Sequence, residues 1–328
     1  MHRDRLVAVS YQVNDEYAAI AERVLADDAE LAYLSRLPAA DRDRALARAD
    51  ALIGLNLARE LPPGALAAAG RLRFIQLLSA GADRVDFGAL PEGAVLAGNV
   101  GAYARPMAEH VLAMTLALAR RLPQRHAALA RGEFDQAEPV LTLDGAVCAI
   151  LGFGGIGKAT ARLFRALGGR IHAVNTSGRT DEPADFIGTL ADLDKVLADA
   201  DVLVIALPLT RVTRGLIGAR ELALMKPSAI MVNVARGAIV DQQALYERLR
   251  DYPDFCAGLD AWWHEPSIDG GFRTDFPFFD LPNLLGSPHN SGMAPGVLTE
   301  AAGRAAGNVL RFLRGEPVTG VMRPEDYQ

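Results

Sequence analysis

Apolar and polar positions along this chain alternate on two length scales. Short apolar runs of roughly four to eight residues, rich in β-branched side chains, are separated by longer Ala/Leu/Arg stretches with helical spacing, a pattern that predicts α/β units with parallel strands. The pattern occurs twice. In the first block LVAVSY, ALIGLN and LRFIQLLS read as strands, with helices around 15–26, 40–49 and 63–69. An apolar helix over 105–122 follows; it is too apolar to be solvated all round, so it is expected at a domain or subunit contact. In the second block VCAILG, RIHAVN, DVLVIAL, AIMVNVA, FCAGLD and NLLGS read as six strands, with helices after Gly155, Asp192, Arg220 and Asp241. Strands and helices in that rhythm predict an α/β, doubly wound parallel sheet.

Composition narrows the class. A chain of 328 residues exceeds what one hydrophobic core usually serves, so two domains are expected. With 50% hydrophobic and 23% charged residues and a formal charge of -6, the profile is globular and offers no basic surface for nucleic acid. The N-terminal stretch MHRDRLVAVSYQVNDEY has no long apolar leader, and no later apolar run approaches the roughly 18 residues of a membrane span; a soluble, cytoplasmic protein without membrane contact is expected. Cys148 and Cys256 fall inside apolar runs and read as core thiols rather than disulfide, metal or nucleophilic groups.

The strongest local signal is ILGFGGIGKATARLF, where Gly152, Gly154 and Gly157 form G-x-G-x-x-G between an apolar strand and a helix, with Gly155 and Ile156 opening the helix. Gly152 permits the tight turn, Gly154 lets the backbone approach a pyrophosphate, and Gly157 lets helix and strand pack closely. The helix N-terminus favours the phosphate charge. These residues predict a Rossmann-type dinucleotide site. The next strand ends in Asn175, where an acid would ordinarily bind the ribose hydroxyls. A carboxylate about 4 Å from a 2′-phosphate would cost on the order of several kcal/mol at an effective dielectric near 20. Asn175 removes that charge, and Thr176, Ser177 and Arg179 supply hydroxyl and guanidinium donors. NADP is therefore the preferred cofactor, with NAD possible.

In open parallel sheets the ligand sits beyond the carboxyl ends of the strands. Arg236 lies just past AIMVNV, Glu265 follows AGLD by a short turn, and His289 follows NLLGS. A cation, a carboxylate and an imidazole are the parts needed to polarise a carbonyl, tune a proton donor and transfer the proton. His264 beside Glu265 invites a metal reading, but no HExxH or Cys/His cluster accompanies it and no metal is assigned.

NVARG (233–237), DAWWHEP (260–266) and SPHNSG (287–292) resemble the signatures of D-isomer-specific 2-hydroxyacid dehydrogenases in order and spacing. The resemblance extends from SAGADRVD (79–86) through GNVGAYARPMAEH, the glycine loop and LPLTRVTRGLI to the final helix, and is weakest in the first seventy residues. It implies hydride transfer between a nicotinamide cofactor, NADP(H) by the preference that Asn175 sets, and C2 of a small 2-keto or 2-hydroxy acid, for example of the glyoxylate/hydroxypyruvate type, with a bulkier 2-keto acid also open. His289 would be the acid/base and Glu265 its carboxylate partner. Arg236 would grip the substrate carboxylate and carbonyl oxygen, helped by backbone N–H groups at Ala80 and Gly81. Asp260 would hold the nicotinamide carboxamide, and Leu207, Pro208 and Thr213 would line the cofactor side. The crossings of the chain predict a smaller flavodoxin-like α/β substrate domain, from 1–98 and 289–328, and a dinucleotide-binding domain at 99–288; a homodimer is expected. Glu265 stands where formate dehydrogenases of the superfamily resemble one another in having Gln, which argues against formate. Two rival readings keep the fold: a non-catalytic dinucleotide sensor, and a short phosphoglycerate or phosphite dehydrogenase. Trp262 and Trp263 read as core or as substrate-side walls, and 267–282 as a loop lent to the pocket or to a subunit contact.

Overall fold

The computed structural model describes residues 4–266 and 270–327. It divides into two units, Met1–Tyr103 with Ala294–Gln328, and Ala104–Met293.

The first unit runs β1 (Leu6–Val9), α1 (Asp15–Leu25), β2 (Glu30–Tyr33), α2 (Ala39–Arg48), β3 (Ala51–Gly54), α3 (Leu57–Glu60), α4 (Ala65–Ala68), β4 (Phe74–Leu77) and β5 (Val95–Ala97). All strand pairs are parallel, in the order β2-β1-β3-β4-β5, which is the flavodoxin-like order. β1, β3 and β4 are buried at every position, and this is why they read as unbroken apolar runs rather than alternating ones. α1 starts where the Asn14 side chain accepts from the Tyr17 N–H, with Asp15 and Glu16 in its first turn. The chain returns as the helix Val297–Leu313, whose Ala305, Ala306, Val309 and Leu313 join the core formed by Val7, Leu25 and Phe74. β2 and β5 were not predicted. The first is a half-exposed edge strand and the second has three residues, so neither carries a long apolar signal.

The second unit opens with α5 (Ala104–Ala119) and α6 (Leu122–Ala130). It continues with β6 (Val147–Leu151), α7 (Gly155–Ala166), β7 (Arg170–Val174), β8 (Phe186–Gly188), α8 (Leu193–Asp199), β9 (Val202–Ile205), α9 (Ala219–Leu224), β10 (Ile230–Asn233), α10 (Gln242–Asp251), β11 (Cys256–Leu259) and β12 (Leu284–Gly286). Its seven parallel strands lie in the order β12-β11-β10-β9-β6-β7-β8, the Rossmann arrangement with one added edge strand. Alternate side chains of one strand serve opposite cores: Ala149 and Leu151 face one, Cys148 and Ile150 the other. The six strands predicted here become seven because β8 is a three-residue edge strand with little burial. The helix expected over 105–122 ends at Ala119: Arg121 takes a left-handed backbone (φ 49°) and Pro123 opens α6. Cys148 and Cys256 are free and buried in β6 and β11, and burial pushes the Cys256 thiol up to about 11. Among the described residues, no helix is long and apolar enough to cross a membrane, and no three His, Cys, Asp or Glu side chains group to hold a metal ion.

Candidate functional site

The glycines of the β6–α7 turn are each explained by what a side chain would meet. Gly152 has φ 96°, and a Cβ there would lie 2.5 Å from the Ala206 carbonyl oxygen beyond β9. A Cβ on Gly157 would overlap the Gly152 carbonyl, so the helix can sit this close to the strand only without one. Gly154 differs: a Cβ there would meet nothing within 4 Å. Its bareness serves no contact of the protein itself, leaves the backbone open to an outside group, and no side chain caps the helix that Gly155, Ile156 and Gly157 begin. A pyrophosphate fits such a cradle.

At the end of β7 the Asn175 Oδ1 accepts from the N–H groups of Ser177 (3.0 Å) and Gly178 (2.8 Å), and its Nδ2 donates to the Arg179 carbonyl (2.8 Å). Asn175 thus folds the loop, while Thr176, Ser177 and Arg179 are exposed on it. The next stretch is tied back to α7 by the ion pairs Lys158–Asp181 and Arg162–Glu182. Beyond β9, the Thr213 hydroxyl donates to the Pro208 carbonyl (2.7 Å) and accepts from the Thr210 N–H (2.8 Å), fixing the turn that carries Leu207 and Pro208. Thr213 is buried and Pro208 exposed.

β10, β11 and β12 are neighbours, so the segments leaving their carboxyl ends are adjacent. Arg236 follows β10, and its Nη1 donates to the Ala235 carbonyl (2.8 Å). Gly237 then lies against the segment leaving β11, where a Cβ would overlap the Trp262 carbonyl carbon; the lack of a side chain brings Arg236 beside the Trp262–Glu265 turn. Glu265 is buried, and its Oε1 accepts from the Trp262 N–H (3.0 Å). Both its oxygens face His289 Nδ1, at 2.8 and 2.9 Å. His289 itself has φ 52°, a left-handed backbone unusual outside glycine.

That conformation is held from below. Asp260, fully buried at the end of β11, accepts from the Ser287 hydroxyl (2.6 Å) and from the N–H groups of Asn290 (3.0 Å) and Ser291 (3.1 Å). Burial works to raise its carboxyl, but these hydrogen bonds outweigh it and hold the group below the ordinary carboxylate value. The Trp262 indole donates to the Ser287 carbonyl (2.8 Å). Ser287, Ser291 and His110 of α5, whose Nε2 is 2.9 Å from the Ser287 Oγ, were not singled out from sequence; the two serines lay in plain view within SPHNSG.

Ala80 and Gly81 belong to the first unit, in the turn after β4, where the Ser79 hydroxyl donates to the Gly81 carbonyl (3.0 Å). Trp262 is a core residue of the second unit, packed against Phe272 and Phe279, and the partly buried Trp263 lies against the same core, stacked on Phe278. The segment read as a lent loop, 267–282, begins outside the described residues at 267–269; from 270 onward it folds over these rings, clipped by His264 to Asp275 at 3.1 Å.

Residues 112–291 match the model of the D-isomer specific 2-hydroxyacid dehydrogenase, NAD binding domain. The chain is 31% identical over 306 residues to a glycerate dehydrogenase of Methylorubrum extorquens, covering 91% of this chain and 86% of that one. It is 34% identical over 299 residues to a glyoxylate/hydroxypyruvate reductase B of Pectobacterium carotovorum, covering 89% and 91%. A D-isomer specific 2-hydroxyacid dehydrogenase from Xanthobacter autotrophicus Py2, solved with NADPH and MES, is similar with a TM-score of 0.80 and 25% identity, covering 97% of this chain and 98% of that one. The parallel seven-stranded sheet, the glycine turn built for a dinucleotide and the matched sequence together mean that the chain belongs to the D-isomer specific 2-hydroxyacid dehydrogenases, enzymes that depend on NAD(P).

Proposed function

We propose that this protein is a 2-keto acid reductase that interconverts a small 2-keto acid and its 2-hydroxy acid, with NADP(H) preferred over NAD(H). The observation that carries the reading is the Glu265–His289 pair. A buried carboxylate can only accept, so the Nδ1 it faces carries hydrogen and Nε2 is the atom left to exchange a proton; this tautomer follows from the hydrogen-bond network. When bound, the nicotinamide supplies or accepts the hydride at C2. His289 Nε2–H donates to the keto oxygen as that oxygen gains charge, and in reverse the neutral nitrogen takes the hydroxyl proton. Glu265 holds the ring in orientation and stabilises its charged form, and Arg236 pairs with the substrate carboxylate through its guanidinium fork. Gly152, Gly154 and Gly157 would cradle the pyrophosphate, with Leu207, Pro208 and Thr213 on the opposite wall and Asp260 at the carboxamide end.

The NADP preference is supported by the neutral Asn175 and by the exposed Thr176, Ser177 and Arg179, whose guanidinium has no partner among the described residues. Glyoxylate and hydroxypyruvate are the first substrates to try, because glycerate and hydroxypyruvate, named in two relatives, are the two redox forms of one couple. A homodimer belongs to the same reading, supported by exposed Leu122, Leu129 and Phe134 in and after α6. The test is steady-state reduction of a panel of 2-keto acids with NADPH and with NADH, followed by nicotinamide absorbance. A lower KM for NADPH with one or more small 2-keto acids is expected; no reduction of any keto acid would overturn the activity, and equal or better use of NADH would overturn the cofactor preference.

A further inference from the structure

The Ser287 hydroxyl has one proton and two polar neighbours. Asp260 Oδ1, at 2.6 Å, belongs to a fully buried carboxylate held in its ionised form by its hydrogen bonds, so it can only accept. The serine proton is therefore committed to Asp260, and the Ser287 oxygen can only accept from its other neighbour, His110 Nε2, at 2.9 Å. His110 Nε2 must then carry hydrogen. The same ring nitrogen is 3.9 Å from Asp260 Oδ1, so its positive edge also faces the carboxylate. The resulting order is directional: His110 on α5 donates to Ser287, Ser287 donates to Asp260, and Asp260 accepts the N–H groups of Asn290 and Ser291. Those two residues follow His289 directly, and a left-handed non-glycine backbone such as its φ of 52° persists only where the surroundings fix it.

Resting on the reading of His289 as the acid/base, we infer that His110 is a positioning residue: through Ser287 it sets the orientation of the Asp260 carboxylate, and through Asp260 the backbone turn that presents the His289 ring. It touches neither substrate nor cofactor in this role. The alternative is that His110 only fills space between α5 and the segment leaving β12, in which case an apolar side chain of similar size would replace it without effect on the turn.

The experiment pairs His110→Leu, which keeps the volume, with His110→Gln, whose amide N–H can donate in the same place, and adds Ser287→Ala and the double variant His110→Leu/Ser287→Ala. Amide hydrogen exchange at Asn290 and Ser291 is read first, because it needs no substrate. Exchange there should quicken roughly tenfold in His110→Leu and recover in His110→Gln, while Ile150 in β6 stays unchanged. In keto-acid reduction kcat should fall by roughly tenfold, and the double variant should lose little more than either single change, since both cut one chain. Unchanged exchange at Asn290 and Ser291, or losses that multiply in the double variant, would overturn the inference. If His110→Leu does not fold, both readouts on Ser287→Ala against wild type decide it. A wild type that reduces no keto acid would sink the proposed activity alone, since the exchange measurement would still judge the positioning chain.

Discussion

His289, three residues past the end of β12, holds a backbone conformation that costs an ordinary side chain energy, and two carboxylates deal with its two halves: Asp260 takes the following N–H groups, Glu265 takes the ring. Glu265→Gln keeps the volume and the hydrogen-bonding capacity but removes the charge that stabilises a protonated ring. Turnover should fall by roughly 10² to 10⁴ with little change in stability, measured as kcat beside thermal midpoint; unchanged kcat would mean the carboxylate has no part in the chemistry. Asn175 offers a second residue-scale test. An Asp there can still accept from the Ser177 and Gly178 N–H groups, so the loop should keep its fold while losing only the bond to the Arg179 carbonyl. Unscreened, the new charge would oppose a 2′-phosphate by about 4 kcal/mol, and solvent reduces that strongly in an exposed loop. Asn175→Asp should therefore raise KM for NADPH by roughly tenfold and shift preference toward NADH; an unchanged ratio would place the phosphate elsewhere.

At the scale of elements, the close approaches matter more than the helices and strands that make them. Gly237 lets the chain after β10 lie on the Trp262 carbonyl, where an added methyl would meet backbone rather than a side chain that could swing away. Gly237→Ala should cost roughly 1–3 kcal/mol, and because Arg236 is the preceding residue, it should also raise KM for the keto acid; chemical denaturation and steady-state kinetics check both halves, and wild-type behaviour in both would contradict the packing described. Legibility in the sequence followed burial and length, with β12 the exception: NLLGS read as a strand although β12 is three partly exposed residues at the sheet edge. β1, β3, β6, β9 and β10 are buried at every position and were visible as apolar runs, whereas β2, β5 and β8 are short edge or half-exposed strands without such a signal. Arg236, Glu265 and His289 stood out because they follow strand ends within recognisable motifs. His110 did not, although GNVGAYARPMAEH ends on it, because a single polar residue on a helix carries no period; only the fold shows that it meets Ser287 beyond β12.

For the molecule as a whole, acid should weaken the second unit before it discharges most carboxylates. His172 in β7 has a side chain only 13% exposed, and burial lowers its affinity for a proton, opposed by nearby Asp199. A histidine whose folded value is depressed contributes stability that is complete above its unfolded value of about 6.5 and is lost as pH falls through the folded one. Asp260, also depressed, behaves likewise at lower pH: its contribution is present above about 3.9 and is lost below. The thermal midpoint should decline between pH 7 and 5, and His172→Gln should flatten that decline; parallel curves for the two proteins would show that another group is responsible. The central claim, that His289 moves the proton in a keto-acid reduction, is tested most directly by His289→Asn. Asparagine tolerates the left-handed backbone that this position requires, so the turn should survive the change. The decisive measurement is kcat for 2-keto acid reduction alongside dinucleotide affinity read by fluorescence: a loss of roughly 10² to 10⁴ in kcat with affinity within about twofold of wild type is the predicted result, and a near-normal kcat would contradict the account.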